Sequence, residues 1–219
     1  MRNTNTPVAF EGFPFILGFL AATVLLAVAG QFLHPAFYAP AVLGGLLTLF
    51  TVFFFRNPER TAPTNEQAVI APADGLVIFL GKVVEPHTQK EMEKVSIFMS
   101  VFNVHINRAP IDGKVVDDFY TRGKFYDVRD ERASFENEQQ GLVLETPTGA
   151  RMVVVQVAGL IARRIVCYAK VGDMLTKGRR YGLIRFGSRL DVYLPVGTAI
   201  KVAMGQKTVA GETILGILP

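Results

Sequence analysis

The chain has 219 residues, long enough for one ordinary domain plus an appendage, and half of them are hydrophobic. Its formal charge of +4 arises wholly after Phe55, because the first 55 residues carry only Arg2 and Glu11. A mildly basic remainder suits an anionic membrane surface, whereas the lack of any Lys/Arg run interleaved with aromatics sets nucleic acid aside. The single cysteine, Cys167, excludes an internal disulfide and a cysteine-based zinc site, and its apolar neighbours mark it as a core residue.

In chain order, Phe13 to Leu33 is the first apolar stretch of bilayer-spanning length and Ala36 to Phe55 is the second. Gln31, His34 and Pro35 form a short polar, helix-breaking connection between them, so residues 1–55 read as a helical membrane hairpin. His34 reads as an interfacial residue rather than a catalyst. A cleaved signal peptide fits poorly, since the leading segment has one arginine and the apolar material runs far past a signal core. Arg2 at one end and Arg56 and Arg60 at the other place both ends of the hairpin on the cytoplasmic side. Its length favours spanning; a re-entrant or interfacial hairpin is the alternative.

Residues 56–219 read as a second, mostly β domain of sandwich or barrel type. A Pro/Thr/Asn/Glu linker to about Gln67 precedes short β-branched and aromatic runs divided by Gly, Pro and Asp turns. These runs are Leu76–Leu80, Val95–Val104, Gly113–Tyr120, Leu142–Thr146, Arg151–Val157, Tyr181–Ile184 and Leu190–Leu194. Leu160–Ala169 is the one segment expected to form a short helix. A faint repeat pairs Val171–Gly178, followed by Gly182, with Met204–Gly211, followed by Gly216. Its turn–bend–turn spacing resembles the hammerhead strands of biotinyl/lipoyl-like domains, although the modifiable Met-Lys pair of those carriers is missing.

Three positions have the chemistry of nucleophile activation. Asp74 stands in a tight turn, Ala71-Pro72-Ala73-Asp74-Gly75; His105 ends an apolar run, Phe102-Asn103-Val104-His105; and Ser188 follows glycine in Arg185-Phe186-Gly187-Ser188-Arg189. A carboxylate can orient an imidazole, and the imidazole can deprotonate a hydroxyl near neutral pH. Glycine before the serine lets the backbone bend and approach closely. Singly, the three also read as a turn residue, a satisfied core histidine and a loop hydroxyl.

With their flanks these segments resemble the phosphatidylserine decarboxylase family in its short bacterial and archaeal form, a pyruvoyl-dependent enzyme. The likeness runs from Phe54-Phe55-Arg56-Asn57-Pro58-Glu59-Arg60 to Leu194-Pro195 and includes the Asp74 turn, Phe98–Pro110, Ser134-Phe135-Glu136-Asn137-Glu138, Gln156–Ile165 and Gly178–Pro195. The resemblance implies a proenzyme that cuts itself at Gly187–Ser188 into a β chain (1–187) and an α chain (188–219), which stay together as a heterodimer. Ser188 would become the pyruvoyl cofactor, which forms a Schiff base with the lipid's serine amine. His105 would act as base in the cleavage and proton donor in decarboxylation, and Asp74 would assist the cleavage. The product would be phosphatidylethanolamine, made at the cell membrane with the catalytic domain on the cytoplasmic side and no metal. A higher oligomer remains open.

Two departures from the long forms of the family bear on residue roles. A second histidine expected three residues after His105 is replaced by Arg108, so one histidine serves both stages or Arg108 or a water shares the work. At the cut, Arg189 follows the serine; it either touches the substrate carboxylate or phosphate or forms a surface salt bridge, Arg108 is a further substrate-binding candidate, and Arg163 and Arg164 are open between phosphate binding and a solvated face. The alternatives to phosphatidylserine decarboxylation are the same reaction on an ether lipid, archaetidylserine, and a non-catalytic membrane-tethered carrier or adaptor.

Overall fold

The computed structural model describes residues 6–130, 132–160, 164–185 and 187–219. The chain divides into two compact units, Arg2–Pro58 and Glu59–Pro219.

The N-terminal unit is a pair of helices, α1 (Phe13–Phe32) and α2 (Tyr38–Phe54), joined through short 3-10 turns at Phe10–Gly12 and Pro35–Phe37. With those turns the helical segments run 23 and 20 residues and are long and apolar enough to cross a membrane. Small residues let the two helices close on each other. Gly30 lies against the Tyr38 ring, where an added Cβ would come within 2.9 Å of it, and Gly44 lies against the Thr23 hydroxyl. The polar connection satisfies itself: Ala36 N–H donates to His34 Nδ1 and Tyr38 Oη donates to Gln31 Oε1. Leu25 and Phe32, both mostly exposed, turn outward from the pair, as side chains facing lipid do.

The C-terminal unit is built of short antiparallel strands. They are β1 (Ala68–Ile70), β2 (Gly75–Val84), β3 (Glu91–Met99), β4 (Ile106–Arg108), β5 (Gly113–Thr121), β6 (Gln139–Glu145) and β7 (Arg151–Ala158), followed by β8 (Ile165–Cys167), β9 (Met174–Leu175), β10 (Arg180–Ile184), β11 (Ser188–Pro195), β12 (Ala199–Ile200), β13 (Lys207–Thr208) and β14 (Ile214–Ile217). One turn of helix, α3 (Ala133–Glu136), lies in the long β5–β6 connection. An eight-stranded curled sheet runs β13-β2-β3-β11-β7-β6-β5-β9, and two three-stranded sheets, β4-β10-β8 and β1-β14-β12, accompany it. The protein is therefore mostly β with an N-terminal helical pair, as the residue pattern leads one to expect.

Period-two alternation decides what each face of the large sheet carries. Val95, Ile97 and Met99 of β3, Leu190, Val192 and Leu194 of β11, and Met152 and Val154 of β7 share the main core. The residues between them, including Val153, Val155, Val157 and Tyr193, form a second buried cluster on the other face. Bulges at Val77/Phe79 and Val115/Asp117 bend β2 and β5, which lets so wide a sheet curl.

The faint repeat has a structural meaning. Each copy places its two glycines at positive φ: Gly172 and Gly178 in the first, Gly205 and Gly211 in the second. Each lays a two-residue strand on one edge of the large sheet, β9 against β5 and β13 against β2.

Two expectations need correction. The segment read as a helix contains β8, whose Ile165, Val166 and Cys167 pair with Ile184, Leu183 and Gly182. Two adjacent β-branched residues stiffen the chain against a helix, and β10 offers them a ladder. The run expected to continue from Val95 to Val104 ends at Met99, because Asn103 Oδ1 accepts from Ser100 N–H at 2.9 Å and from its hydroxyl at 2.8 Å, closing a turn.

Leu190 is fully buried at the centre of the core. Leu190→Ala should lower the unfolding free energy of this unit by about 3 kcal/mol, read as an earlier denaturant midpoint in detergent.

Candidate active site

The end of β11 sets the site. Ser188 pairs with Met99 of β3 on one side and with Ala158 of β7 on the other. Both neighbours are interior strands of the sheet, so the serine's backbone is fixed from two directions. Its side chain takes the core-facing parity of Leu190 and is fully buried, with the hydroxyl donating to Met99 Sδ at 3.4 Å. Sulfur is a weak acceptor, so this hydroxyl is restrained little for its depth. Gly187 has φ +73, a conformation that suits glycine and lets the chain turn sharply into the strand.

His105 stands beside that turn, 2% exposed. Gly187 N–H donates to its Nε2 at 3.3 Å, and its Nδ1 lies 3.0 Å from the Asn103 carbonyl oxygen. The partners assign the tautomer: Nδ1 carries the proton and donates to Asn103, and Nε2 presents its lone pair to the Gly187–Ser188 segment. The imidazole is thus in its basic form and oriented by a backbone carbonyl.

The Gly187 carbonyl is seated against Gly159. A Cβ added at Gly159 would lie 2.8 Å from Gly187 O and 3.0 Å from Val128 Cγ1, so only glycine admits this approach without displacement. Asn137, fully buried, holds the neighbouring chain. Its Nδ2 donates to Ala158 O and Tyr126 O, and its Oδ1 accepts from Tyr126 N–H. A largely apolar cavity of about 270 Å³ opens beside Gly187. The end of β3, Gly159 and Leu160, and Asp127, Val128 and Arg129 of the β5–β6 connection form its walls. Arg129 is held bidentate on Asp127 with its guanidinium 5.8 Å from the Phe98 ring centroid.

Asp74 ends at the same edge of the sheet, since Leu76 pairs with Phe98 and Ser188 with Met99. Its Oδ1 accepts from Ala210 N–H at 2.8 Å and its Oδ2 from Arg60 at 3.3 Å. A signal that sequence reading missed explains the first contact. Ala109-Pro110-Ile111-Asp112-Gly113 repeats Ala71-Pro72-Ala73-Asp74-Gly75, and Asp112 Oδ1 accepts from Lys177 N–H just as Asp74 does from Ala210 N–H. In both copies the accepted N–H precedes a glycine at positive φ, and that glycine's own N–H donates to the first alanine of the motif, Gly178 to Ala109 and Gly211 to Ala71. The aspartate is first a clasp that locks each glycine turn. Asp74 differs from its twin in carrying Arg60 as well.

The arginines part company. Arg108 lies at the far end of β4 from His105; its Nη1 donates to Gly178 O, and burial beside Arg180 pushes it down to about 10. Arg189 points to the opposite face of β11 from Ser188 and is buried against Asp191, Val128 O and Ser134. The Arg189–Asp191 ion pair is internal, not the surface salt bridge expected as one reading of Arg189. Arg163 lies outside the described residues, and Arg164 is exposed. Burial by itself would raise the Asp191 carboxyl, but Arg189, Lys94 and the Ser96 hydroxyl outweigh it and hold it below the usual range.

The profile of the phosphatidylserine decarboxylase family matches residues 47–216. The chain belongs to the phosphatidylserine decarboxylase family. Similar proteins described as phosphatidylserine decarboxylase proenzymes include those of Citrifermentans bemidjiense, 78% identical over 219 residues, and Geobacter metallireducens, 68% identical over 219 residues, with both chains covered in full in each case. That of Geobacter sulfurreducens is 64% identical over 220 residues, again over the whole of both chains. Membership decides for an enzyme over an adaptor. Among the described residues no cluster of three or more His, Cys, Asp or Glu is placed to hold a metal ion.

Cys167 stands apart from this site on β8. Burial pushes its thiol up to about 11, so it is protonated at neutral pH. Iodoacetamide at pH 8 should leave the native protein essentially unlabelled over an hour and should label it fully once it is unfolded, as read by mass spectrometry.

Proposed function

We propose that this chain converts phosphatidylserine to phosphatidylethanolamine and carbon dioxide after cutting itself between Gly187 and Ser188. The observation that carries the reading is the seating of that one bond. A buried serine hydroxyl, an unprotonated imidazole nitrogen and a carbonyl fitted against Gly159 meet at a strand end that borders a cavity.

The cut follows from these groups. The Ser188 hydroxyl rotates away from Met99 and attacks the Gly187 carbonyl carbon while His105 Nε2 takes its proton. A C–O bond forms, the C–N bond breaks, and the amide becomes an ester with a free Ser188 amine. Loss of the Ser188 α-proton then breaks the Cβ–O bond, leaving a Gly187 carboxylate and dehydroalanine. Water hydrolyses the latter to a pyruvoyl group with release of ammonia. Asp74 is a positioning residue in this scheme: with Arg60 and Ala210 it fixes the start of β2 at the same end of the sheet.

The residues present fit such a group, since its carbonyl would arise in place, shielded from bulk water, at the end of a strand paired on both sides. A pyruvoyl group carried on residue 188 would supply a carbonyl for the serine amine and an electron sink for the pair left as carbon dioxide departs. The cavity beside Gly187 receives the head group, with Arg129 at its wall as the cation for phosphate or carboxylate. His105 Nε2 holds the proton that is returned to the α-carbon. The fragments 1–187 and 188–219 remain one heterodimer, because β11, β13 and β14 are laddered to β3 and β7, β2 and β1. The two apolar helices anchor the enzyme at the cell membrane, with the catalytic unit on the cytoplasmic side.

The test is phosphatidylethanolamine and carbon dioxide formation by the purified protein in mixed micelles of detergent and diacyl phosphatidylserine, with a diether analogue as a second arm. Wild type should turn over the diacyl lipid and Ser188→Ala should be inactive. His105→Ala should lose at least about a hundredfold in activity. No product from wild type would overturn the reading, and turnover of the diether alone would reassign the substrate.

Gly159→Ala adds a Cβ where the carbonyl of Gly187 now sits. It should slow conversion of the full-length chain to two fragments by about tenfold or more in a time course on denaturing gels, while leaving the protein folded.

A further inference from the structure

Arg189 is the residue next to the scissile serine, and its guanidinium reaches away from the reaction. Nη1 donates to Val128 O at 2.6 Å, and Nη2 donates to Ser134 Oγ at 2.7 Å and to Asp191 Oδ2 at 2.9 Å. Its Nε lies 2.8 Å from Asp191 Oδ1. Lys94 completes the cluster, 3.0 Å from Asp191 and donating to the same Ser134 hydroxyl at 3.1 Å. Two buried cations thus share one buried carboxylate, an arrangement that costs desolvation and that apolar side chains could replace without loss of stability. What apolar side chains could not supply is the pair of bonds to Val128 and Ser134.

Both partners belong to the β5–β6 connection, residues 122–138. Its base is closed by Lys124 and Asn137, where Lys124 N–H donates to Glu136 O and Glu138 N–H to Lys124 O. Two residues of its outer part are tied to the sheet, Ser134 through its hydroxyl and Val128 through its carbonyl and its side chain. Asp127, Val128 and Arg129 of this same stretch wall the cavity beside Gly187. The Val128 side chain packs toward Gly159, against which the Gly187 carbonyl is seated.

We propose that Arg189 is a positioning residue that bolts the 127–134 segment, and with it one wall of the head-group cavity, to the strand end that carries the reacting carbonyl. The proposal rests on the reading that this cavity takes the phosphatidylserine head group. After the cut Arg189 becomes the second residue of the smaller fragment, so cavity wall and carbonyl remain one mechanical unit although the chain between them is severed. The guanidinium fork is needed for this, because one cation must reach a carbonyl and a hydroxyl of the loop while holding Asp191.

Two variants of the full-length protein test it. Ser134→Ala removes one tie and leaves the Arg189–Asp191 pair, and Arg189→Lys keeps the charge and loses the fork. Self-cleavage, KM and kcat for phosphatidylserine, and trypsin cleavage after Arg129 and Arg132 are read on each. Both variants should still divide into two fragments. KM should rise about fivefold with kcat within about twofold, and tryptic cutting between residues 127 and 134 should quicken about fivefold. Unchanged KM and unchanged tryptic rates in both variants would overturn the proposal, as would loss of self-cleavage without faster tryptic cutting. Should Arg189→Lys fail to fold, Ser134→Ala decides alone. The tryptic comparison stands even if wild type shows no decarboxylation, so failure of this inference and failure of the functional reading are told apart.

Discussion

The pairing of β11 with β3 on one side and β7 on the other is the constraint on which the site depends. A chain that cuts itself at the start of a strand creates a new terminus at the place where its chemistry must occur, and termini ordinarily fray. Here Ser188 is already laddered from Met99 and Ala158, and Leu190, Val192 and Leu194 follow it into the core. No rung of the ladder to Pro195 depends on the Gly187–Ser188 bond, so under the proposed cut the strand end would keep its place without a covalent link to what preceded it.

Alternation along β11 then separates the tasks. Core-facing parity carries the Ser188 hydroxyl and the apolar residues that bury it, while the opposite, also buried, parity carries Arg189, Asp191 and Tyr193 and the charge pairs. Both sets are buried, and a one-residue slip would carry Arg189 and Asp191 into the apolar core and Leu190 and Val192 among the charge pairs, so the register is specified strongly. The same logic limits what Arg189 can do: it adjoins Ser188 in sequence yet faces the other way, where it holds Val128 and Ser134 of the β5–β6 connection.

The fold class and the pair of apolar helices were legible because they rest on local signals: long charge-free apolar stretches, and short β-branched runs between turn residues. Ser188, Gly187 and His105 could be named from their flanking motifs, and the structure brings these three together. What stayed hidden depended on long-range pairing. Ile165 and Val166 belong to a strand because β10 lies beside them, which their own neighbourhood does not announce. Gly159 owes its importance to a carbonyl that reaches it only through the sheet. Asp74 was read from its turn and its carboxylate and Arg189 from its place after the serine, but their partners, Ala210 and Arg60 for the one and Val128 and Ser134 for the other, come from distant segments. The recurrence of Ala-Pro-x-Asp-Gly at Asp74 and Asp112 was there to be seen, and it would have shown that such an aspartate locks a glycine turn before any catalytic duty is asked of it.

In the proposed scheme self-cleavage at one bond makes every later step possible, and intact mass spectrometry of the purified wild-type protein reads it directly. Two species should appear, one ending at Gly187 and one beginning at residue 188 with its amine replaced by a ketone, the latter blocked to Edman sequencing and reactive toward a hydrazine. A single intact chain retaining Ser188, or fragments divided at any other bond, would contradict it.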